Sequence, residues 1–178
     1  MKYELLEKYA DFIVRVGVNV QPGQTLIISG NLETAPLARL CMKSAFAAGA
    51  RDVRIDWEDE ACSRIRMEMG SEEALCDVKP YLLRSYLDYA ESEGGACVLH
   101  LLADDPEVYS GLDAAKINRV GMARRTALKP WRVYTMNDKI SGASPPCPVP
   151  AGQRSSSPAR MWMWLWKSCG MPSSRCAA

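Results

Sequence analysis

Acidic residues run out at Asp138: the 38 residues from Ser141 to Ala178 contain no aspartate or glutamate, whereas the first 140 hold all 21. That stretch also gathers six of the eleven prolines, three of the seven cysteines and eight serines. Its run Arg160-Met-Trp-Met-Trp-Leu-Trp-Lys167 shows neither a helical nor a strand period with a polar face. The chain therefore divides near Ile140 into a body, residues 1–140, and a tail, residues 141–178, that does not read as a continuation of the same fold.

Other scarcities narrow the function. With one histidine, His100, the sequence cannot assemble a His-built metal site or a nucleophilic triad from neighbouring residues. No segment supplies the roughly 20 apolar residues that cross a bilayer, and the opening Met1-Lys-Tyr-Glu-Leu-Leu-Glu-Lys8 carries acids where a secretory signal is apolar. The expectation is a cytoplasmic protein that does not enter a membrane. The body has 18 basic and 21 acidic residues, a net of −3, against +4 in the tail, and no basic stripe points to nucleic acid. Gly17, Gly23 and Gly30 flank strand candidates without the Gly-x-Gly-x-x-Gly or Gly-Lys-Ser spacing that cradles phosphate. Ser29 and Ser110 lie outside any Gly-x-Ser-x-Gly elbow and have no base nearby in sequence. Cys41, Cys62, Cys76 and Cys97 are too widely spaced for a zinc knuckle or a disulfide framework and read as reduced, buried, small hydrophobes. Cys147, Cys169 and Cys176 fall in the tail and support no metal site.

What is present is an alternation of helices and strands. Residues 2–17 carry Leu5, Leu6, Tyr9, Ile13 and Val16 at three- and four-residue intervals, which predicts an amphipathic helix. After the Gln21-Pro22-Gly23-Gln24 turn, Thr25-Leu-Ile-Ile-Ser29 is a short apolar run, the pattern of a strand covered on both faces. A second helix is predicted from Glu33 to Ala48, with Thr34 as its cap, Pro36 in its first turn and Gly49 as its stop. Asp52 to Trp57 alternates as a strand, and a charged helix is expected to open at Glu58 and run to Met69. Lys79 to Glu93 forms another helix, Ala96 to Ala103 the most apolar strand, and Asp113 onward past Ala127 a long helix. Strands separated by helices pair in parallel through crossovers. The expected fold is therefore α/β, an open, mainly parallel sheet with helices on both faces, in one domain of 1–140.

Three places invite a chemical reading. His100 lies mid-strand and is expected to be satisfied by a backbone partner, as a core histidine. Glu58, Asp59 and Glu60 resemble a carboxylate cluster, but consecutive acids at a helix start point apart and serve as a solvated cap. Asp104 and Asp105 follow a strand's C-terminal end, where open α/β sheets place ligand contacts, though Asp-Asp-Pro is also an ordinary turn. No residue is assigned a catalytic, cofactor-binding or metal-ligating role.

The tail has a second reading. In a displaced codon frame, one permissible codon choice for residues 152–176 gives AKVFQPGEDVDVAVEKLWDAIFQVCA, and residues 141–151 can give WRIASVPCPSWA. The invariant Met and Trp codons force the Asp-Val-Asp-Val-Ala-Val core nearly uniquely. These strings supply an apolar strand, a Pro-Gly-Glu-Asp turn and a helix with acids on one face. A frameshift therefore explains the tail better than a genuine disordered Ser/Pro segment, and loss of the strand Trp-Arg-Ile-Ala-Ser-Val is expected to leave an open apolar sheet edge.

Leu5-Leu6-Glu7-Lys8-Tyr9-Ala10-Asp11, Val16 through Gln24 (VGVNVQPGQ), Ala47 through Val53 (AAGARDV) and Ala127-Leu128-Lys129-Pro130 together resemble the opening of the thermophilic-type metalloaminopeptidases, the family of aminopeptidase T, aminopeptidase S and PepS. The likeness covers residues 1–140, and its most specific part is Asn-Val-Gln-Pro-Gly-Gln followed by Ala-Gly-Ala-Arg-Asp-Val. It implies the N-terminal domain of a two-domain, cytoplasmic, usually homodimeric enzyme that removes N-terminal residues from peptide substrates. Such enzymes use two divalent ions, zinc, cobalt or magnesium, whose glutamate, histidine, tyrosine and aspartate ligands belong to the C-terminal domain. No position here matches those ligands, so the chain is expected to be inactive alone and to hold no metal. Two other readings stand beside it. One is a non-catalytic binding or scaffold domain whose tail docks a partner through Trp162, Trp164 and Trp166. The other is an unrelated doubly wound protein binding a ligand near Gly30 and Asp104.

Overall fold

The computed structural model describes residues 3–103, 105–136, 140–145 and 147. Among the described residues four strands form one sheet in the order β2-β1-β3-β4, every neighbouring pair parallel: β1 Thr25–Asn31, β2 Asp52–Glu58, β3 Ala96–Leu101 and β4 Gly142–Ala143. The helices are α1 Tyr3–Phe12, α2 Ala35–Ala47, α3 Glu60–Met69, α4 Glu72–Cys76, α5 Pro80–Ala90, α6 Ala114–Ala127 and α7 Lys129–Met136. This is the open α/β sheet that the helix–strand alternation requires.

Strand β1 lies between β2 and β3 and has a hydrophobic core against each of its faces, so its apolar run does not alternate. Leu26 and Ile28 point to one face, into a core built with Tyr9, Ala10, Ile13 and Val14, with Leu37, Ala38 and Cys41 of α2, and with Cys97 and Leu99 of β3. Ile27 points to the other, where Ala96, Val98, Trp131 and Ile140 meet Leu83, Tyr86 and Leu87 of α5. Burying each such Leu or Ile side chain contributes roughly 1.5–3 kcal/mol.

The local chemistry explains the joints. Helix α1 widens into a π-helical turn, Ile13–Val18, which buries Ile13, Val14 and Val18 together and ends at Asn19 with φ of +56°, a left-handed conformation that asparagine tolerates. Gly94, at φ of +89°, sits where a side chain would meet the Gly23 carbonyl, and Thr25 N–H donates to the Gly95 carbonyl at 3.0 Å. That close approach sets the start of β3 beside the start of β1.

Several boundaries differ from expectation. Thr34 occupies the N-cap position of α2, but its side chain makes no capping hydrogen bond. Its hydroxyl is fully buried and donates to the Asn31 carbonyl at 2.7 Å, closing a short 3-10 turn, Leu32–Thr34, ahead of the helix. Glu58 ends β2 rather than opening α3; Asp59 is the cap, its carboxylate accepting from Cys62 N–H at 3.0 Å. Helix α4 is a short turn capped by Ser71, and α7 follows α6 after a break at Leu128; both escaped the periodicity. Cys41 and Cys97 are buried as expected, their thiols pushed up to about 12 by desolvation, but Cys62 is exposed on α3.

The sheet edge expected to stand open is met, at β3, by residues of the tail. Gly142 and Ala143 pair with Val98 and Leu99, Cys147 N–H donates to the Leu102 carbonyl at 2.9 Å, and Pro145 and Cys147 are buried.

Ile28→Ala removes a fully buried side chain from the central strand and is expected to destabilise the chain by about 2–5 kcal/mol in urea unfolding. Leu32→Ala, at a residue 53% exposed, should cost less than about 0.5 kcal/mol. Equal losses for the two would contradict the assigned layers.

Candidate functional site

In an all-parallel sheet the strand C-termini share one edge, and the chain leaves β1 toward β2 on one side and reaches β3 on the other. Such a reversal opens a crevice between the two connections. Here a cleft of about 440 Å³ occupies that place, a size that admits a small molecule.

Its floor comes from β1 and β3. Ser29 and His100 are register partners, and Ser29 Oγ lies 2.5 Å from His100 Nδ1, the two sharing one hydrogen. Asp56 of β2 occupies the same rung, so the row across the sheet runs Asp56, Ser29, His100. This order is wrong for a nucleophilic triad, which needs the base between acid and hydroxyl. Asp56 is also committed elsewhere, to Arg54 Nε at 2.8 Å and to the Tyr86 hydroxyl at 3.1 Å. His100 is thus not the backbone-satisfied core residue expected: its partner is a side chain 71 residues away, and the residue is exposed on the cleft. Desolvation of its enclosed part still lowers its pKa below 6.5, which keeps the imidazole neutral at pH 7.

The walls depend on α3. Glu60, in its first turn, accepts from Asp105 N–H at 3.0 Å and from Asn31 Nδ2 at 3.4 Å. One turn later, Arg64 donates to the carbonyls of Val108 at 2.6 Å and Ser110 at 3.1 Å. These two side chains fasten the loop after β3 to α3. Glu58 lines the opposite rim, 3.5 Å from the Ser63 hydroxyl. Leu101, Leu102, Pro106, Val108 and Tyr109 complete the lining with apolar surface.

Asn31 stands in this wall only 5% exposed. Its Nδ2 also donates to the Ala103 carbonyl at 2.9 Å, while its Oδ1 is a buried acceptor with no partner among the described residues. Two acceptors around Nδ2 fix the orientation of the amide. An unsatisfied buried acceptor costs about 1–3 kcal/mol.

The acidic run at 58–60 is therefore split by function: Asp59 caps a helix, whereas Glu58 and Glu60 face the cleft. Asp105 lines it as well, its carboxylate accepting from Glu107 N–H at 2.9 Å; Asp104 lies outside the described residues. Ser29 is at the site but Ser110 contributes only its carbonyl, to Arg64. Asn31 carried no motif; its only sequence signal was its place at the end of an apolar strand. Trp162, Trp164 and Trp166 lie outside the described residues. Among the described residues, no three or more His, Cys, Asp or Glu side chains gather closely enough to hold a metal ion, and no helix is long and apolar enough to cross a membrane.

Comparison with known proteins gives a consistent result. The family described as Thermophilic metalloprotease (M29) matches residues 2–163. Aminopeptidase 2 of Geobacillus stearothermophilus is 36% identical over 146 residues, which cover 82% of this chain and 35% of that protein. Aminopeptidase PepS of Streptococcus thermophilus is 34% identical over 138 residues, 78% of this chain and 33% of that protein. The solved structure of wild-type AmpT from Thermus thermophilus superposes with a TM-score of 0.74 at 26% identity, covering 80% of this chain and 36% of that one. The chain spans about a third of the length of the relatives it matches.

As the only histidine, His100 gives a single imidazole signal in an NMR titration, and its midpoint is expected below 6.5. Between that midpoint and 6.5 the unfolded chain binds more protons than the folded one, so stability should fall as pH drops through the window. His100→Asn should abolish that part of the pH dependence; a midpoint at or above 6.5 would refute the assignment.

Proposed function

The chain belongs to the thermophilic metalloprotease (M29) family, and from that premise we propose that it is the N-terminal α/β portion of a metal-dependent aminopeptidase, inactive by itself. The observation that supports this reading is the extent of the match: relatives named as aminopeptidases are similar along most of this chain, yet about two thirds of their own length has no counterpart in it. The proposal carries with it peptide substrates, a cytoplasmic setting and the homodimeric assembly implied by the resemblance.

The donor set here does not fit the family's divalent ions. A catalytic ion takes about three protein ligands, and a pair of ions takes more. The nearest acids and imidazole are otherwise engaged: Glu60 holds Asn31 and Asp105, Glu58 lies by Ser63, and His100 shares a hydrogen with Ser29. No hydrolytic step is therefore derived from these residues.

The tail enters the same proposal. We read the part of the tail that follows Cys147 as the product of a shifted frame. Gly142–Ala143 pair with the sheet and Cys147 is buried, which argues that the shift falls after Cys147 rather than directly after Ile140. The family match also extends past the break, to residue 163.

Purified chain mixed with cobalt or zinc and leucine p-nitroanilide is expected to release no nitroaniline above a metal-only blank. Release that a chelator abolishes would overturn the inactive reading. Sequencing the gene across the codons for Ile140 to Gly152, in this source and a related strain, is expected to reveal one inserted or deleted base; an identical frame in both would refute the shift.

A further inference from the structure

We propose that the outer edge of β2 is an interface for a second copy of this chain: two β2 strands pair antiparallel about a twofold axis that sets Ile55 against Ile55, joining two sheets into one. The inference goes beyond the family reading, because it uses only the residues of this edge and concerns this chain without the remaining length of its relatives.

Strand β2 ends the order β2-β1-β3-β4, so among the described residues its outer row of backbone donors and acceptors has no strand beside it. The edge is seven residues long and runs in unbroken register with β1 from Asp52 to Glu58. It contains no proline, glycine or bulge to discourage pairing. Its core is also unfinished. Ile55 shares a rung with Ile28 and Leu99, both fully buried, yet is itself only partly buried, and Trp57 on the same face is 42% exposed. A strand laid against this edge covers both.

Which strand fits follows from the edge's own sequence, Asp-Val-Arg-Ile-Asp-Trp-Glu. About a twofold axis normal to the sheet, opposed residues lie on the same face, so one residue must meet its own copy. Centring on Arg54 or on Asp56 sets like charges against each other and shortens the overlap. Centring on Ile55 uses the whole strand: Val53 meets Trp57 on the apolar face, and Arg54 meets Asp56 on the other, each contact occurring twice. The one unfavourable pairing, Asp52 with Glu58, falls at the ends, where both residues are exposed and water and salt screen them. The charges are held ready before a partner arrives. Arg54 Nε donates to Asp56 of its own strand at 2.8 Å, the guanidinium lies 5.6 Å and 5.5 Å from the Tyr86 and Tyr89 ring centres, and the Tyr86 hydroxyl donates to Asp56 at 3.1 Å. A second copy turns two internal pairs into a ring of four alternating charges.

The test is light scattering and sedimentation of the purified full chain over about 1–300 µM, a range suited to a strand-edge contact smaller than a standard interface. A mass rising toward twice 19.7 kDa is expected. Arg54→Asp and Asp56→Arg each place like charges across the axis and should weaken the dimer by about tenfold or more, with the fold checked by circular dichroism. Mixing the two variants is the decisive step. One presents two acids and the other two bases at these positions, so an equimolar mixture should form a heterodimer, detected by native mass spectrometry, with an affinity within about threefold of the parent dimer. That recovery cannot come from the pair inside one strand, which both variants lack. Glu58→Lys makes the end pairings attractive and should tighten the dimer by about threefold or more, a gain that keeps the proposal testable if the charge variants unfold. A chain that stays monomeric throughout the range, association indifferent to both charge variants, a mixture of folded variants that stays monomeric, or no gain in Glu58→Lys would each overturn the proposal. The first outcome means that another segment covers the edge, and the second places self-association on a different surface.

Discussion

Parallel pairing of β1 between β2 and β3 is the constraint on which everything else rests. Because parallel neighbours need crossovers, the helices must lie against the faces of the sheet, and because β1 is covered on both faces, Leu26, Ile27 and Ile28 must all be apolar. The same pairing fixes the chemistry of the cleft. Registering Thr25 with both Asp52 and Ala96 carries Ser29 onto one rung with Asp56 and His100, residues far apart in sequence. A slip of one residue in the β1–β3 pair would turn His100 from the cleft toward the other core, and a slip in the β1–β2 pair would do the same to Asp56.

Much of the body was legible because its signals were local. An uninterrupted apolar run marks β1, three- and four-residue spacing marks α1, and Pro80 opens α5. Elements that lacked such signals were missed: α4 is five residues long, α7 is separated from α6 only by Leu128, and β4 is two residues whose pairing is decided by β3. The site was legible in location but not in composition. The strand-end rule pointed to Gly30 and the Asp104–Asp105 turn, yet the Ser29–His100 contact and the role of Asn31 depend on register, which one sequence without its partners does not disclose. Thr34 shows the same limit from another side. Its capping pattern was sound locally, but a tertiary site buried its hydroxyl and gave it the Asn31 carbonyl instead.

Glu60 connects fold to cleft. Its position in the first turn of α3 suits the positive end of a helix dipole, and from there it reaches both the Asn31 amide and the loop after β3. One carboxylate thereby does three things: it favours the helix start, it anchors a loop, and it leaves negative charge at the rim. Asp59 beside it performs the ordinary cap with Cys62 N–H, which frees Glu60 from that duty. Consecutive acids that look redundant in sequence are divided by the geometry of the β2–α3 turn into a structural member and two that face the cleft.

Family membership and local chemistry answer different questions in this chain. The likeness to aminopeptidases extends over the scaffold, and a scaffold is inherited through its core pattern whether or not the reacting groups accompany it. Metal-assisted hydrolysis needs ligands converging within about 2–2.6 Å of an ion, and the acids described here are instead dispersed around a space several times larger than an ion and partly committed to holding its walls. The α/β body thus has the strand-end crevice that its fold class favours, with carboxylates spread around it rather than gathered at one point among the described residues.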